Sequence, residues 1–457
     1  MIPSTVPPTP GLRRTLTTRD LIVYGLLFIG PLAPVGVFGV LDARTNGAVA
    51  SVYLFATVAM AFTAWSYAEM SRAVPHAGSV FAYASQGLGS STGFLAGWLA
   101  MLDYLLIPSV AYLFCGIAMH SLVASVPAWV FTVIAFGLTT ALNLAGVAVA
   151  ARAGFVVLVA EIVVLIVFLV CAIGVLAQDG PSRPWNAPFT GIGTFELSAI
   201  VGAISIAVLS FLGFDAIASF AEESAGDSRQ VGVAIVVCLG VAGGLFVAQA
   251  YLAGVISAIP PATLVAHPER QGTAFYDLAR LAIGPWMATL LAVTKAVGPA
   301  FAAMTAQAAA ARLLFGMARD GRLPQALAQV DARHGVPTVS LIAAAALTLV
   351  VSVWAARQDD GLDVLVSVVD VGALAAFTLL HASVVGFFVI QRKGTARAAH
   401  YVVPMAGALV TVWVIVEAGT MARVVGLAWL LAGVVVLLAN RRSRSAPDYG
   451  SGEGLAP

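Results

Sequence analysis

The chain has 457 residues, of which 60% are hydrophobic and only 10% are charged, and its formal net charge is +1. About a quarter of the residues in soluble domains are charged, so this composition excludes a soluble globular protein. It predicts an all-α protein that crosses the membrane many times, and the near-neutral charge gives no sign of a nucleic acid partner.

Residues 1–20 are rich in Pro and Thr and carry three arginines, and the apolar stretch that follows is too long for the core of a signal peptide. We therefore expect a cytoplasmic N-terminal tail without a cleaved signal. At the other end, residues 441–457 begin basic and become rich in Ser, Gly and Pro. This composition predicts a disordered cytoplasmic tail.

Apolar runs of about 20 residues are long enough to cross a bilayer as helices. Twelve such runs occur, over residues 21–41, 48–71, 93–117, 128–147, 153–177, 197–221, 231–258, 283–313, 338–355, 362–390, 402–420 and 424–440. With the N-terminus inside, 16 of the 23 Lys and Arg residues fall on the inner side and six on the outer side, while Lys295 lies within a span. The positive-inside rule therefore predicts a plasma (inner) membrane protein with both termini in the cytoplasm.

Two of the runs are interrupted near their midpoints. The first contains Gly30, Pro31 and Pro34, and prolines remove backbone donors from a helix. The sixth holds Asp215 two residues after Gly213, although a charge at mid-membrane costs about 2.5–3.5 kcal/mol. Two interrupted spans, one near the start of each half, indicate a transporter built from inverted repeats with its binding site at the breaks.

Four motifs along the chain carry a family resemblance. They are P-H-A-G-S-V-F-A-Y at residues 75–83, G-F-L-A-G-W at 93–98, F-L-G-F-D at 211–215 and R-L-L-F-G-M-A-R-D-G-R-L-P at 312–324. In this order and at this spacing, from about residue 12 to 440, the landmarks resemble the amino acid–polyamine–organocation (APC) transporters. Residues 102–105, 210–216 and 372–378 are most similar to the bacterial putrescine importers of that family.

The resemblance implies the LeuT fold: 12 transmembrane helices arranged as five helices, an inverted copy of those five, and two peripheral helices. On this basis residues 21–180 form the first repeat, 181–392 the second, and 393–440 helices 11 and 12. The resemblance also implies alternating access around broken helices 1 and 6.

The first break bears on the class of substrate. Family members that carry amino acids usually have Gly-Ser-Gly here, and its free amides bind the substrate carboxylate. This chain has Pro31-Leu32-Ala33, flanked by Gly30 and Pro34, so fewer amides are available. The substitution favours an amine that lacks a carboxylate. The alternative is a proline kink satisfied by neighbouring helices.

The second break offers groups that suit an ammonium. Phe211 and Phe214 can present ring faces to it, each contact being worth about 0.5–2 kcal/mol. Gly213 permits the backbone to leave the helix, and Asp215 can accept a charge-assisted hydrogen bond. Alternatively, Asp215 only caps the second half-helix.

The third span contains Asp103 and Tyr104, which point about 100° apart on a helix, so only one faces the cavity squarely. An aromatic residue at this level commonly lines the site in the resembled fold, and we therefore predict that Tyr104 contacts the substrate. Asp103 then either reaches the second amine of a diamine or pairs within the scaffold.

A coupling site is predicted from the fifth and eighth spans. In the resembled family a fifth-helix position often holds a lysine that takes the place of a sodium ion by gaining and losing a proton, and here that position is Glu161. Lys295 lies 17 residues before Arg312, or about 25 Å along a helix, at a similar depth. We expect Glu161 and Lys295 to face each other and to carry one proton, or to form a static buried salt bridge.

Taken together, these features predict a secondary active transporter that imports a small, putrescine-like organic amine and is driven by the proton gradient. The alternative is an amino acid permease or an amino acid/amine exchanger. Expected partners are a small organic cation or amino acid, protons and the lipid bilayer. The sequence contains no paired nucleophile and base and no metal-ligand spacing, so we expect neither an enzyme nor a cofactor or metal.

Overall fold

The computed structural model describes residues 15–74, 79–123, 125–145, 147–193, 195–225, 228–331, 335–358, 361–393, 395–417 and 420–445. Residues 1–14, residues 75–78 of the first family motif and residues 446–457 of the predicted tail lie outside the described residues. Within the described part the regular structure is helical, apart from one isolated bridge between Leu16 and Ser224.

The first part of the chain forms seven helices: α1 (Thr18–Ile29), α2 (Ala33–Arg44), α3 (Val49–Ala73), α4 (Ser79–Leu88), α5 (Ser90–Leu122), α6 (Ala128–Leu144) and α7 (Val147–Gln178). Next come α8 (Ala187–Thr190), α9 (Leu197–Leu209), a 3-10 helix (Phe214–Glu223), α10 (Ser228–Ile256), α11 (Pro261–Ala266), a 3-10 turn (Pro268–Arg270), α12 (Ala274–Ala282) and α13 (Pro285–Arg319). The last elements are a 3-10 turn (Gln325–Ala328), α14 (Thr338–Ala355), α15 (Gly361–Val384) with a π-helical continuation (Val385–Ile390), α16 (Ala399–Glu417) and α17 (Thr420–Ser445).

Most of these helices have the length and composition of membrane spans. In the described ranges, nine helices are long and apolar enough to cross a membrane, and the bent pair α1–α2 makes a tenth if it is counted as one span. Two shorter apolar helices, Ala128–Leu144 and Ala422–Leu438, lie where the fourth and twelfth apolar runs are predicted. The chain is therefore a multi-pass helical membrane protein, as its composition predicts.

The first interrupted span forms α1 and α2. A capping box starts α1, because the Thr17 hydroxyl accepts the Asp20 amide and the Asp20 carboxylate accepts the Thr17 amide. The helix stops at Ile29, where Gly30 adopts a φ of 74° that glycine tolerates best. After the break, α2 continues at an angle of 42° to α1. The predicted break is therefore present.

The second interrupted span forms α9 and the 3-10 helix that follows. The α-helical ladder ends at Leu209, a turn covers residues 210–213, and Gly213 has a φ of 118°. Beyond it the amide of Ala216 donates to the carbonyl of Gly213 at 3.1 Å, a spacing of three residues instead of four. This span is interrupted at the predicted place by a change of helix type.

Packing places α5 at the centre of the bundle, where it contacts α13 and α15 over much of its length, while α3 packs along α10.

One end of the bundle is held by Arg312 of α13, which forms a two-point ion pair with Glu223 and stacks over the Phe220 ring at 4.2 Å. Glu223 lies near the end of its predicted span, a position typical of the membrane interface, yet its side chain is buried. The Thr15 and Leu16 amides donate to its carbonyl, which ties the N-terminal segment to this end.

The opposite end has its own buried ion pair. Arg183, in the connection after α7, donates to both carboxylate oxygens of Asp42 at the end of α2, at 2.6 and 2.8 Å. The same guanidinium reaches the Ser257 hydroxyl at 3.2 Å and the Ile259 carbonyl. Because both charges are buried and fully hydrogen-bonded, this contact fixes α2 against the chain after α10.

Candidate functional site

The break between α1 and α2 is satisfied by a side chain from another helix. Gln249 of α10 donates from Nε2 to the carbonyl of Pro31 at 2.9 Å, while the Ala33 amide returns to the Gly30 carbonyl at 2.9 Å. Gln249 is fully buried, and its Oε1 has no hydrogen-bond partner within the described part of the chain. Gln249 was not predicted for the site, although a lone glutamine in the apolar run of α10 is a signal in the sequence.

The second break is supported in a similar way and touches the first. The Tyr53 hydroxyl lies 3.1 Å from the Ser210 hydroxyl. A Cβ atom added to Gly213 would lie 2.6 Å from Cγ of Phe28, two residues before Gly30. Only glycine permits this close approach, so the two interruptions meet in the middle of the bundle.

Asp215 and Tyr104, each predicted separately to contact the substrate, come together at this point. The Tyr104 hydroxyl donates to Asp215 Oδ2 at 2.6 Å, and the Gly213 amide donates to Oδ1 at 3.2 Å. Both side chains are about 1% exposed. The predicted cap role of Asp215 and its predicted role as an ammonium acceptor are both compatible with this geometry.

The two predicted aromatic contacts lie elsewhere. The Phe211 ring packs edge-on against Phe246 with centroids 5.0 Å apart, and Phe214 packs edge-on against Tyr67 at 6.3 Å. Both phenylalanines are fully buried, and neither is among the described residues that line the cavity considered next. The structure therefore places these rings in the packing between helices.

A cavity of about 120 Å³ lies between the two breaks and helices α5, α7 and α13. From the predicted residues of the first break, Gly30 and Ala33 line it, whereas Pro31, Leu32 and Pro34 are not among its described lining residues. Ser210 and Leu212 line it from the second break. The interrupted spans thus border a shared internal space.

Glu161 and Lys295 line the same cavity from α7 and α13. In the described ranges no ion pair within 4.0 Å joins them, and Glu161 Oε2 has no hydrogen-bond partner there. The other oxygen, Oε1, lies against Gly298, where an added Cβ would be only 1.8 Å away. The two predicted partners therefore face a common space without direct contact.

Lys295 lies beside an aromatic ring, one turn before a proline that interrupts the hydrogen-bond ladder of α13. Lys295 Nζ is 5.9 Å from the centroid of the Phe114 ring. Pro299, inside α13, has no amide to donate to the Lys295 carbonyl one turn earlier. A cation within an apolar span, at the wall of an internal cavity, marks a candidate ion pathway.

Asp103 is also buried, 1% exposed, and it interacts electrostatically with Asp215 and with Asp370 of α15. Its Oδ1 has no hydrogen-bond partner in the described part of the chain. Asp370 was not among the residues predicted for the site, because in the sequence it lies closer to the end of its span.

A multi-pass helical membrane protein whose buried polar groups converge on two interrupted spans has the organisation of a membrane transporter. The sequence model of the family described as "Amino acid permease" matches residues 21–439, and the chain belongs to that family. It is accordingly a transporter and not an enzyme.

Several named relatives align over nearly the whole chain. The low-affinity putrescine importer PlaP of Escherichia coli is 29% identical over 449 residues, covering 96% of both chains. The branched-chain amino acid permease BcaP of Bacillus subtilis is 27% identical over 467 residues, covering 95% of this chain and 94% of the relative. The vacuolar cationic amino acid transporter 4 of Arabidopsis thaliana is 27% identical over 406 residues, covering 80% of this chain and 62% of the relative.

Proposed function

We propose that this protein is a secondary active transporter that imports a small, putrescine-like organic amine by alternating access around its two interrupted spans. The observation that carries the proposal is Asp215, a buried carboxylate at the second break, held by Tyr104 beside the first break. A buried carboxylate favours a cationic guest because it can form a charge-assisted hydrogen bond with an ammonium. The similarity to a putrescine importer supports the same choice.

The proposed substrate contacts are the backbone and side chains of the first break together with Tyr104, Gly213 and Asp215. Gly30 and Ala33 already line the cavity between the breaks. The other proposed contacts are not among the described residues that line that cavity, and they would reach the guest only after a rearrangement; they are Pro31, Leu32, Pro34, Tyr104, Phe211, Gly213, Phe214 and Asp215.

The proposed architecture is the LeuT fold with 12 spans, in which residues 21–180 and 181–392 are inverted repeats and 393–440 are peripheral. The bent α1–α2 pair, the interrupted sixth run and the two shorter apolar helices at the fourth and twelfth positions support it. The distribution of Lys and Arg supports placement in the inner membrane with both termini in the cytoplasm.

The proposed coupling ion is the proton, carried by Glu161 and Lys295. Both groups face the cavity from opposite helices, and they are close enough to interact electrostatically without forming an ion pair. A carboxylate that loses and regains a proton next to a cation changes the local charge, which can bias an alternating-access equilibrium. A static salt bridge would instead give an uncoupled carrier or an exchanger.

Uptake of labelled putrescine into proteoliposomes, with the outside made acidic or neutral, tests the proposal. We expect faster uptake with the acidic exterior, a pH response lost in Glu161→Gln, and an unchanged response in the control Glu196→Gln, which alters an exposed residue. Uptake that does not depend on pH and that survives Glu161→Gln would contradict the proposed proton role of this residue.

A second candidate, an amino acid permease or exchanger, is favoured by the similarity to a branched-chain amino acid permease. Competition for uptake distinguishes the amine transporter from the amino acid permease. If neutral amino acids inhibit uptake and diamines do not, the amine assignment is wrong.

A further inference from the structure

Three buried aspartates converge where α5, α15 and the second break meet. Asp103 is 1% exposed, Asp215 1% and Asp370 8%. Asp103 interacts electrostatically with both of the others. Within the described ranges, no ion pair joins any of the three to a basic side chain.

The approach of α15 to α5 explains why Asp370 belongs to this group. Gly372 lies against α5, and a Cβ added to it would be 2.9 Å from Leu102 Cβ and 3.3 Å from the Asp103 amide nitrogen. Asp370 is only two residues earlier on the same helix. The contact at Gly372 therefore holds two carboxylate-bearing segments together at one level of the bundle.

The hydrogen bonding of the three carboxylates is unequal. Asp215 accepts hydrogen bonds from Tyr104 and from the Gly213 amide. Asp103 Oδ1 and Asp370 Oδ1, in contrast, have no hydrogen-bond partner in the part of the chain that the structure describes. A buried acceptor without a donor costs about 1–3 kcal/mol, so a fold retains such groups where a bound molecule supplies the donors.

A further unpartnered group lies beside them. The Tyr83 hydroxyl is buried and has no hydrogen-bond partner among the described residues. Its ring packs edge-on against Tyr67, with centroids 6.0 Å apart, and Tyr67 interacts electrostatically with Asp103 and Asp215. Buried oxygens without a hydrogen-bond partner among the described residues therefore occur on three helices, α4, α5 and α15.

An ammonium has the complementary chemistry, since it carries a positive charge and three donors and accepts nothing. One ammonium at Asp215 would leave Asp103 and Asp370 without a counter-charge. A second ammonium on the same molecule would supply donors to the free oxygens of this remaining pair, and its single positive charge would balance the pair if the two carboxyl groups share one proton.

We propose that Asp103 and Asp370 form a second ammonium subsite, so that the transported molecule is a diamine with one ammonium at Asp215 and the other between Asp103 and Asp370. This inference rests on the proposed function, because it takes the guest to be an organic amine. It predicts that Asp370, a residue outside the interrupted spans, makes the site prefer a guest with two positive charges over a guest with one.

Ligand-induced stabilisation of the purified full chain in detergent tests this subsite, because a ligand that binds the folded state raises the unfolding temperature by an amount that grows with the logarithm of its concentration divided by its Kd. The probes are 1,4-diaminobutane and 1-aminobutane, which share a carbon chain and differ by one ammonium. We expect the wild-type chain to bind the diamine at least about tenfold more tightly than the monoamine, the size of one charged hydrogen bond. In Asp370→Asn the ratio should fall to about one, mainly through weaker diamine binding.

Two further variants complete the design. Asp103→Asn should lower the same ratio, and Asp179→Asn, at an exposed position after α7, should leave it at the wild-type value. Because the readout is an unfolding transition, a variant that fails to fold gives no transition, and the wild-type ratio together with the other aspartate variant then decides the matter.

The outcomes separate this inference from the proposed function. Equal binding of the two probes by the wild-type chain, or a diamine preference that survives both Asp370→Asn and Asp103→Asn, overturns the second subsite while leaving an amine transporter intact. Binding of a neutral amino acid with no response to either amine overturns the proposed function and this inference with it.

Discussion

Gly298 is the position where a single methyl group tests the geometry of the cavity most directly. A Cβ at this residue would lie 1.8 Å from Glu161 Oε1 and 2.8 Å from its Cδ. Ordinary contact begins near 3.4 Å, so in Gly298→Ala the carboxylate oxygen must move by about 1.6 Å. Overpacking costs about 1–3 kcal/mol, and we expect the low end here because the atoms that must move are the end of a side chain beside a cavity.

Whether Gly298→Ala lowers or raises the stability of the chain depends on Glu161. Alanine is a better helix former than glycine by about 0.5–1 kcal/mol, and this gain becomes visible once the clash is removed. We therefore expect Gly298→Ala to destabilise the wild-type chain but to stabilise slightly a chain that already carries Glu161→Ala. Such a reversal measures the coupling between the two positions.

The assay is thermal unfolding of the full chain in detergent for the wild type, both single variants and the double variant. Gly174→Ala is the matched control, because this glycine is also in a long apolar helix and an added Cβ meets nothing within 4 Å. It should cause no loss of stability. An equal cost of Gly298→Ala with and without the Glu161 carboxylate would refute the described contact.

Three further predictions concern side chains that hold the interrupted spans and one end of the bundle. Gln249→Leu leaves the buried Pro31 carbonyl without its donor and should lower stability by about 1–3 kcal/mol in the same unfolding assay. Arg312→Ala leaves a buried carboxylate unpaired and should cost about 3–5 kcal/mol, whereas Arg319→Ala, which breaks a partly exposed pair, should cost at most about 1 kcal/mol; equal costs would contradict the burial described here. Tyr104→Phe removes the hydroxyl donor of a buried carboxylate, so the unfolding temperature should fall, and 1,4-diaminobutane should restore part of it if an ammonium can take the place of the hydroxyl.

The positions of the breaks were predictable because they arise from local chemistry. Pro31 and Pro34 lack amide donors, and Gly30 and Gly213 adopt positive φ angles. These properties act within one or two turns and need no information from distant parts of the chain. The number of apolar runs is similarly local, since the bilayer sets the length of a span.

The choice of partners could not be predicted in this way. Tyr104 and Asp215 are 111 residues apart, and Gln249 reaches Pro31 across 218 residues. Phe211 and Phe214 fall in a promising motif, yet both rings pack against neighbouring helices instead of the cavity.

The sequence by itself therefore determined that this is a multi-pass helical membrane protein of a transporter family, and where two of its spans are interrupted. Only the tertiary structure decided which side chains meet at those interruptions, that Glu161 and Lys295 share a cavity without forming an ion pair, and that Asp370 joins Asp103. The physical reason is that membrane helices are apolar on nearly every face, so their sequences lack the polar stripe that would reveal their rotation. That rotation is set by close packing against neighbouring helices, as at Gly213, Gly298 and Gly372.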